Sequence, residues 1–312
     1  MEERLPKRLF KYRALTNRTL DMIVSDQVYF ADPSTFNDPL DTRPSVDVDV
    51  EGNKLVEVLR RLVERRTNAE MTAAAKSIRY RGPRTREHIE RHSRRQADRL
   101  LKDIEYQATY PDTGREGHKR FLLGHWIEDE LNRQYDKGIV SLAERSTCPL
   151  MWSHYGDQHR GVCVGYSIPD RVAEDIRKVR YRGGRLVRAG KLAEMLDGSR
   201  TARREVDEAV LLRKARSWRY EREWRLIGPL GLTSSPLEME ELIFGMRCKG
   251  STKYAVMKAL AGREHEVKFF EMREMPGTFG LKKRRLHEDE LFASYPVRAV
   301  SVYDDFADCL ES

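Results

Sequence analysis

Residues 218–226, with the sequence WRYEREWRL, hold two glutamates and an arginine at alternate positions. This alternation predicts a strand on which Glu221, Glu223 and Arg225 share one face, close to aromatic side chains. Two carboxylates so close together repel each other, and a fold usually avoids this unless a substrate or an arginine lies between them. The segment therefore predicts a catalytic site containing these three residues. The alternative is a solvated edge strand with alternating charges.

The opening strand is predicted to end in a cationic and aromatic tip formed by Lys11, Tyr12 and Arg13. Arginine binds phosphate through two parallel hydrogen bonds, and a tyrosine ring can stack on another planar ring. These three residues are therefore candidates to hold a phosphorylated ligand. The alternative is an exposed strand end with no ligand.

A polar loop follows at residues 36–41, with the sequence FNDPLD. Its proline excludes helix, and its asparagine and aspartates accept unusual backbone dihedrals. Asn37 and Asp38 could orient a base or bind a ribose hydroxyl. The alternative is a structural Asx turn.

A third candidate is the block MWSHYGD at residues 151–157, which precedes an apolar strand. Trp152, Ser153, His154 and Tyr155 before a glycine predict a pocket wall rather than core. The histidine could donate a hydrogen bond to a ribose or act as a base. Order along the chain does not establish a serine–histidine pair, so no hydrolase triad is predicted.

The elements that must position these residues do not show a helix after each strand, as a doubly wound sheet requires. The chain is therefore predicted to be α+β, with a mixed or antiparallel central sheet. Predicted helices fall at residues 16–25, 206–216 and 251–260. Predicted strands fall at residues 9–13, 28–30, 139–142, 161–166, 179–181, 242–245, 267–270 and 297–302.

The length of 312 residues fits one large domain, predicted over residues 1–312. Residues 52–135 are predicted to be a helical insertion, because apolar residues recur there at the helical period and Gly82–Pro83 interrupts them. Residues 270–312 are predicted to be a C-terminal extension.

The formal charge is +8, and arginines crowd one part of the predicted insertion, between residues 60 and 99. A second basic block lies at residues 282–285. Clusters of this kind can hold phosphates, so nucleic acid is a candidate partner through the basic helical region. The alternative is that acidic residues at helical spacing neutralise the first cluster as surface ion pairs.

The sequence shows no apolar run long enough to cross a bilayer and no N-terminal signal, which predicts a cytoplasmic protein with no membrane partner. Its four cysteines are scattered without metal-ligand spacing, so we expect reduced thiols and no metal site. They are Cys148, Cys163, Cys248 and Cys309.

Four of these blocks, read in order, resemble the uncharacterised bacterial family known as domain of unknown function 2971. They are KYR at residues 11–13, the block at residues 29–41, the block at residues 151–167 and the W-x-YE-x-EWRL segment at residues 218–226. The resemblance runs from about residue 9 to the region of Gly245 and explains the predicted helical insertion least. It carries no established activity.

A looser resemblance, to ADP-ribosyltransferases, implies chemistry. Those enzymes place an arginine or histidine on the first strand, a serine or tyrosine on a middle strand and a glutamate on a late strand. Arg13, Ser153 or Tyr155, and the pair Glu221 and Glu223 occur in that order here. The resemblance implies an ADP-ribosyltransferase-like fold and NAD as cofactor.

In this interpretation Arg13 and Lys11 bind the NAD pyrophosphate, and Tyr155 or Trp152 forms a wall for the nicotinamide. The residues predicted to contact NAD are Lys11, Tyr12, Arg13, Asn37, Asp38, Trp152, Ser153, His154 and Tyr155.

Glu223 would stabilise the oxocarbenium-like ribose and hold its 2′-hydroxyl, and Glu221 would orient or deprotonate the acceptor. The resemblance thus implies transfer of ADP-ribose to a macromolecular acceptor, which could be a nucleic acid. A role as a toxin or in bacterial antiviral defence, with an antitoxin or defence partner, would fit this chemistry.

Two other classes of function stay open at this point. A metal-dependent nuclease or nucleic-acid-binding defence protein would use Asp38, Asp41, Glu221 and Glu223 around Mg²⁺. A non-catalytic sensor or scaffold would bind a partner without turnover.

Overall fold

The structure, a computed structural model, describes residues 4–80, 82–109, 115–135 and 137–297. Its strands, numbered along the chain, are β1 (Arg8–Arg13), β2 (Gln27–Phe30), β3 (Ser45–Asp47), β4 (Gly138–Ala143), β5 (Val162–Ser167), β6 (Ile176–Lys178), β7 (Leu186–Arg188), β8 (Glu223–Gly228), β9 (Gly231–Ser234), β10 (Glu238–Phe244), β11 (Lys268–Glu274) and β12 (Leu281–Arg285).

The helices of the same residues are α1 (Asn17–Val24), α2 (Gly52–Ser77), α3 (Thr85–Gln107), α4 (Arg115–Gln134), α5 (Pro149–His154), α6 (Asp170–Ala173), α7 (Ala189–Leu196), α8 (Arg200–Leu211), α9 (Gly250–Leu260) and α10 (Glu288–Phe292). Two 3₁₀ helices lie at Pro33–Thr35 and Arg216–Glu221.

Eight of the described strands form one sheet in the order β12-β11-β10-β5-β1-β4-β8-β6. The neighbours in this sheet pair antiparallel, except that β10 and β11 run parallel. Strands β2 and β9 form a separate antiparallel pair, and β3 and β7 a parallel one. The predicted α+β class with a mixed, mostly antiparallel sheet is thus confirmed.

One face of the large sheet is apolar and is covered by α1 and α9. Leu9 of β1, Trp224 of β8 and Phe244 of β10 share a core with Ile23 of α1 and Met257 of α9. Helix α1 begins where the Thr16 side chain accepts a hydrogen bond from the backbone N–H of Thr19, a common N-cap. The predicted helix at residues 16–25 is therefore present.

Three long helices, α2, α3 and α4, occupy the range predicted to be a helical insertion. Helix α2 ends at Ser77 and α3 begins at Thr85, so the predicted break at Gly82–Pro83 is present. Leu59 and Leu62 of α2 and Ile127 of α4 are buried in a second core that these helices share. Burial of this stripe is what stabilises helices whose other faces are polar.

Strand β8 begins later than the sequence alternation predicted. Residues 216–221 form a 3₁₀ helix, and Arg222 has a left-handed φ of 45°, so the chain turns before the strand starts at Glu223. From there Trp224 points into the apolar core. Side chains alternate along a strand, so Glu223 and Arg225 lie on the opposite face. The prediction that Glu221 lies on the same strand is wrong.

Three other predicted elements differ in position or lie outside the described residues. In place of the strand predicted at 179–181, the structure has β6 at Ile176–Lys178. The helix predicted at 206–216 is α8, which begins earlier, after its N-cap Ser199, and ends at Leu211. Strands β11 and β12, at the start of the predicted C-terminal extension, form one end of the large sheet. Residues 298–302 of the last predicted strand, and Cys309, lie outside the described residues.

Candidate active site

A fully buried arginine forms the base of the site. Arg225 Nη2 donates hydrogen bonds to both carboxylate oxygens of Asp41, at 2.8 and 2.7 Å. Its Nε donates to Glu223 Oε1 at 2.8 Å, and its Nη1 donates to the Leu211 carbonyl at 2.7 Å. A buried guanidinium needs paired charges and hydrogen bonds to offset its desolvation, and this arrangement supplies both.

Lys214 supplies a second buried cation. Its Nζ lies 2.6 Å from Glu221 Oε2, 3.1 Å from Glu223 Oε2 and 3.2 Å from Asp41 Oδ2. The ammonium group therefore stands among three carboxylates, in the position that a metal ion would take in the nuclease interpretation. No local pattern around Lys214 marks it in the sequence. A second cation could have been expected from the number of acidic residues in the predicted site, since three buried carboxylates require more than one cation.

The pKa values of the two glutamates are shifted in opposite directions, although both carboxylates contact Lys214. Burial opposes ionisation of Glu223, but the charges of Arg225 and Lys214 outweigh it and hold the pKa of Glu223 far below its usual range. Burial, with a smaller repulsion from Glu223, raises the pKa of Glu221. Pairs of acids whose pKa values are pushed apart are typical of acid–base sites, and they also occur in structural ion-pair networks.

Tyr155 and Asn37 extend the cluster toward solvent. The Tyr155 hydroxyl donates to Glu221 Oε1 at 2.8 Å and accepts a hydrogen bond from Asn37 Nδ2 at 3.2 Å. Tyr155 is half-buried and Asn37 is exposed. The structure thus brings together Asn37, Tyr155 and Glu221, which are widely separated in sequence. Glu221 is the carboxylate of the cluster that faces this outer side.

Aromatic rings border the outer side of Glu221. The centroid of Tyr220 lies 6.1 Å from that of Trp218 and 6.3 Å from that of His154, and the His154 and Tyr155 centroids are 6.3 Å apart. Lys214 Nζ lies 5.3 Å from the centroid of the Trp218 ring. These four residues are exposed or half-buried. We call Trp218, Tyr220, His154 and Tyr155 the aromatic rim.

The three predicted residues of β1, Lys11, Tyr12 and Arg13, each lie in a different environment. Lys11 Nζ donates to the Ser141 carbonyl at 2.9 Å, and burial, with a smaller effect of Arg13, lowers the pKa of Lys11 to about 7. Tyr12 is a core residue whose hydroxyl donates to the Arg145 carbonyl, so its predicted role in stacking on a ligand is wrong.

Arg13 is placed apart from the cluster. Burial, opposed by the nearby Tyr166, lowers the pKa of Arg13, and Arg18 acts in the same direction as burial. Its side chain forms no hydrogen bond or ion pair within the described residues. No contact in those residues joins Arg13 to Glu221.

Three other predicted residues have structural partners. Trp152 is fully buried and its indole N–H donates to the Ser146 carbonyl at 2.8 Å, so it belongs to the core and not to a pocket wall. The Ser153 hydroxyl donates to the Pro149 carbonyl within α5. Asp38 accepts a hydrogen bond from the Leu40 backbone N–H, which is the Asx turn named above as the alternative.

The parts of the chain that the structure describes contain no helix long and apolar enough to cross a membrane. In the same parts, no group of three or more histidine, cysteine or acidic side chains is arranged to hold a metal ion. The described cysteines Cys148, Cys163 and Cys248 are free thiols.

Comparison with known proteins finds a similarity between part of the chain and a protein family. Residues 151–226 match the family described as a protein of unknown function, DUF2971. No curated protein and no solved structure matches the chain. The matched range contains Tyr155, Lys214, Glu221, Glu223 and Arg225, and thus most of the cluster. Residues 151–226 are thus similar to the DUF2971 family, the resemblance that the sequence blocks predicted.

Proposed function

We propose that this protein is an ADP-ribosyltransferase that takes NAD as its substrate and modifies a macromolecular acceptor. The observation that carries the proposal is the placement of Glu221. Its carboxylate accepts hydrogen bonds from Tyr155 and Lys214 and lies beside the aromatic rim. A carboxylate fixed in this way can stabilise positive charge that develops on a ribose during transfer.

Glu221, rather than Glu223, is the carboxylate that we assign to the substrate. Both glutamates are buried, with 3% of Glu223 and 4% of Glu221 exposed, so their partners distinguish them rather than their exposure. Both oxygens of Glu223 are engaged by the buried cations Arg225 and Lys214. Glu221 instead has one oxygen on Lys214 and the other on Tyr155, which is half-buried at the outer side of the cluster. Glu223 and Arg225 act in this proposal as positioning residues that hold Lys214 and the start of β8.

The reaction breaks the bond between ribose C1′ and the nicotinamide nitrogen, whose electron pair leaves with nicotinamide, and joins C1′ to a nucleophilic atom of the acceptor. Glu221 would stabilise the cationic ribose and then take the proton of the attacking group, a step that its raised pKa favours. Trp218 and Tyr220 offer aromatic faces on which a base or the nicotinamide ring can stack.

The acceptor class, protein or nucleic acid, is a further part of the proposal. Transfer onto an essential macromolecule would suit a toxin or an antiviral defence protein with a dedicated antitoxin. These roles rest on the proposed chemistry, and their first test is the reaction itself.

The test measures nicotinamide release from about 1 mM NAD, the upper end of usual KM values, with bacterial nucleic acid or protein as acceptor. Glu221→Gln should lower kcat by about 100-fold or more, because it removes the negative charge while keeping an oxygen for Tyr155. Glu264→Gln, which changes an exposed glutamate outside the cluster, is the matched control.

Thermal unfolding of each variant separates lost chemistry from lost folding. Nicotinamide release that needs Glu221 and leaves the melting temperature unchanged would support the transferase. Absence of NAD binding and consumption by the folded wild-type protein would overturn it, and so would equal activity of Glu221→Gln and wild type.

A further inference from the structure

Most of the net charge of this protein resides in α2, α3 and the residues that connect them. Residues 52–107 contain 15 lysine and arginine residues against 8 aspartate and glutamate residues, a formal charge of +7, while the whole chain carries +8. These residues form α2, α3 and their connection. Uneven charge of this kind creates a local positive potential that attracts polyanions.

An open groove of about 760 Å³ runs between α2 and α3 and ends at Leu196 of α7. Short side chains of α2, including Ala69 and Ala73, line it and leave room between the helices. The groove follows α2 from Arg61 to Lys76, which is about 22 Å at the helical rise. Its volume lies within the usual range for ligand clefts.

Three cations of this groove are free to bind a ligand. Within the described residues, the side chains of Arg65, Lys76 and Arg94 form no hydrogen bond or ion pair. By contrast, Arg61 is held by Asp197 at 2.6 Å. The predicted alternative, neutralisation by surface ion pairs, therefore applies to Arg61 but not to the other three.

The acidic residues of the groove do not cancel these charges. Glu90 pairs with Arg86 outside the groove, and Glu64 is the second acidic residue that lines it. Asn68 adds an amide donor between the cations, whereas the hydroxyls of Thr72 and Ser93 donate to Asn68 Oδ1 and to the Glu90 carbonyl. Arginine, lysine and amide donors along one groove are among the groups that contact a phosphodiester backbone.

We propose that the groove between α2 and α3 binds the phosphodiester backbone of a single-stranded nucleic acid. A strand fits because the groove is open along its length and too small to enclose a duplex. Arg65, Lys76 and Arg94 contact phosphates of the bound strand. This binding does not depend on the proposed transferase activity and requires neither NAD nor Glu221.

The test uses fluorescence anisotropy of the full chain with a labelled 12-nucleotide RNA, the DNA of the same sequence and the DNA duplex, over a range of salt concentrations. The groove variant combines Arg65→Gln, Lys76→Gln and Arg94→Gln. The control variant combines Lys7→Gln, Arg177→Gln and Lys268→Gln, which removes the same charge from exposed positions outside both basic clusters.

Wild type should bind the single strands, and the groove variant should bind them at least about tenfold more weakly. The slope of log binding constant against log salt concentration should become shallower by about 2, because three phosphate contacts are lost. The control should change affinity by less than about twofold. Equal losses of affinity in both variants would show that the groove is not the binding site. Tighter binding of the duplex, or no binding by wild type at low salt, would overturn the proposal as a whole.

Discussion

Arg225 binds both carboxylate oxygens of Asp41, a residue 184 positions earlier in the chain. Its guanidinium also lies 5.4 Å from the centroid of the Phe36 ring. The loop at residues 36–41 is therefore fixed to the beginning of β8. Because Asn37 belongs to this loop, the contact also holds Asn37 against Tyr155.

Asp41→Ala should destabilise the protein by about 3–5 kcal/mol, since it removes one of the two carboxylates that the buried cations Arg225 and Lys214 share. Urea unfolding followed by circular dichroism measures this loss. Asp38→Ala is the matched control in the same loop, and it should cost about 1 kcal/mol or less because Asp38 only caps a turn. A loss below about 1 kcal/mol for Asp41→Ala would show that the contact does not hold the loop.

Tyr155→Phe should raise the pKa of Glu221 further, because the Tyr155 hydroxyl donates to the charged form of the carboxylate and so favours it. NMR of the protein labelled with carbon-13 at glutamate carboxyls would follow this titration directly. If Glu221 acts as a carboxylate, activity should appear as pH rises through its pKa. In Tyr155→Phe this acidic limb should move to higher pH. An unchanged Glu221 titration would contradict the hydrogen bond.

Lys11 should make stability depend on pH above neutrality. Its pKa is lowered to about 7 in the folded state, so between pH 7 and 10 the unfolded chain binds more protons than the folded one. The free energy of unfolding should therefore rise with pH in this window, by at most about 1.4 kcal/mol per pH unit. Lys11→Met removes the titrating group, and the difference between the two pH profiles isolates the effect. Parallel profiles would refute it.

Substitution by alanine should have different effects at Trp152 and at Trp218, on stability at the first and on NAD binding at the second. Trp152→Ala should cost about 3–5 kcal/mol, because Trp152 is fully buried and packs edge-on against Tyr12 at 5.2 Å. Trp218→Ala, on the aromatic rim, should cost about 1 kcal/mol or less. It should instead weaken NAD binding if the proposed site is correct. Chemical denaturation and calorimetric titration with NAD distinguish the two effects, and equal losses of stability would contradict this division.

Several features of this protein were determined by its sequence alone. Hydrophobic periodicity and breakers located α1, α9 and the long helices, because each element carries its own pattern of apolar residues. The spacing of residues 151–157 and 218–226 indicated the similarity to the DUF2971 family and two of the segments that contribute to the site. The acidic pair and Arg225 were recognisable because such charges on one short segment require partners.

Only the tertiary structure decided which residues those partners are and which side chains face solvent. Lys214 joins the cluster because the chain turns at Arg222, and Asp41 joins it through a contact across 184 positions. Trp152 and Trp218 are the same residue type in similar aromatic segments, yet one is core and the other lies on the rim. Burial and long-range pairing depend on how distant elements pack, which no local pattern of residues records.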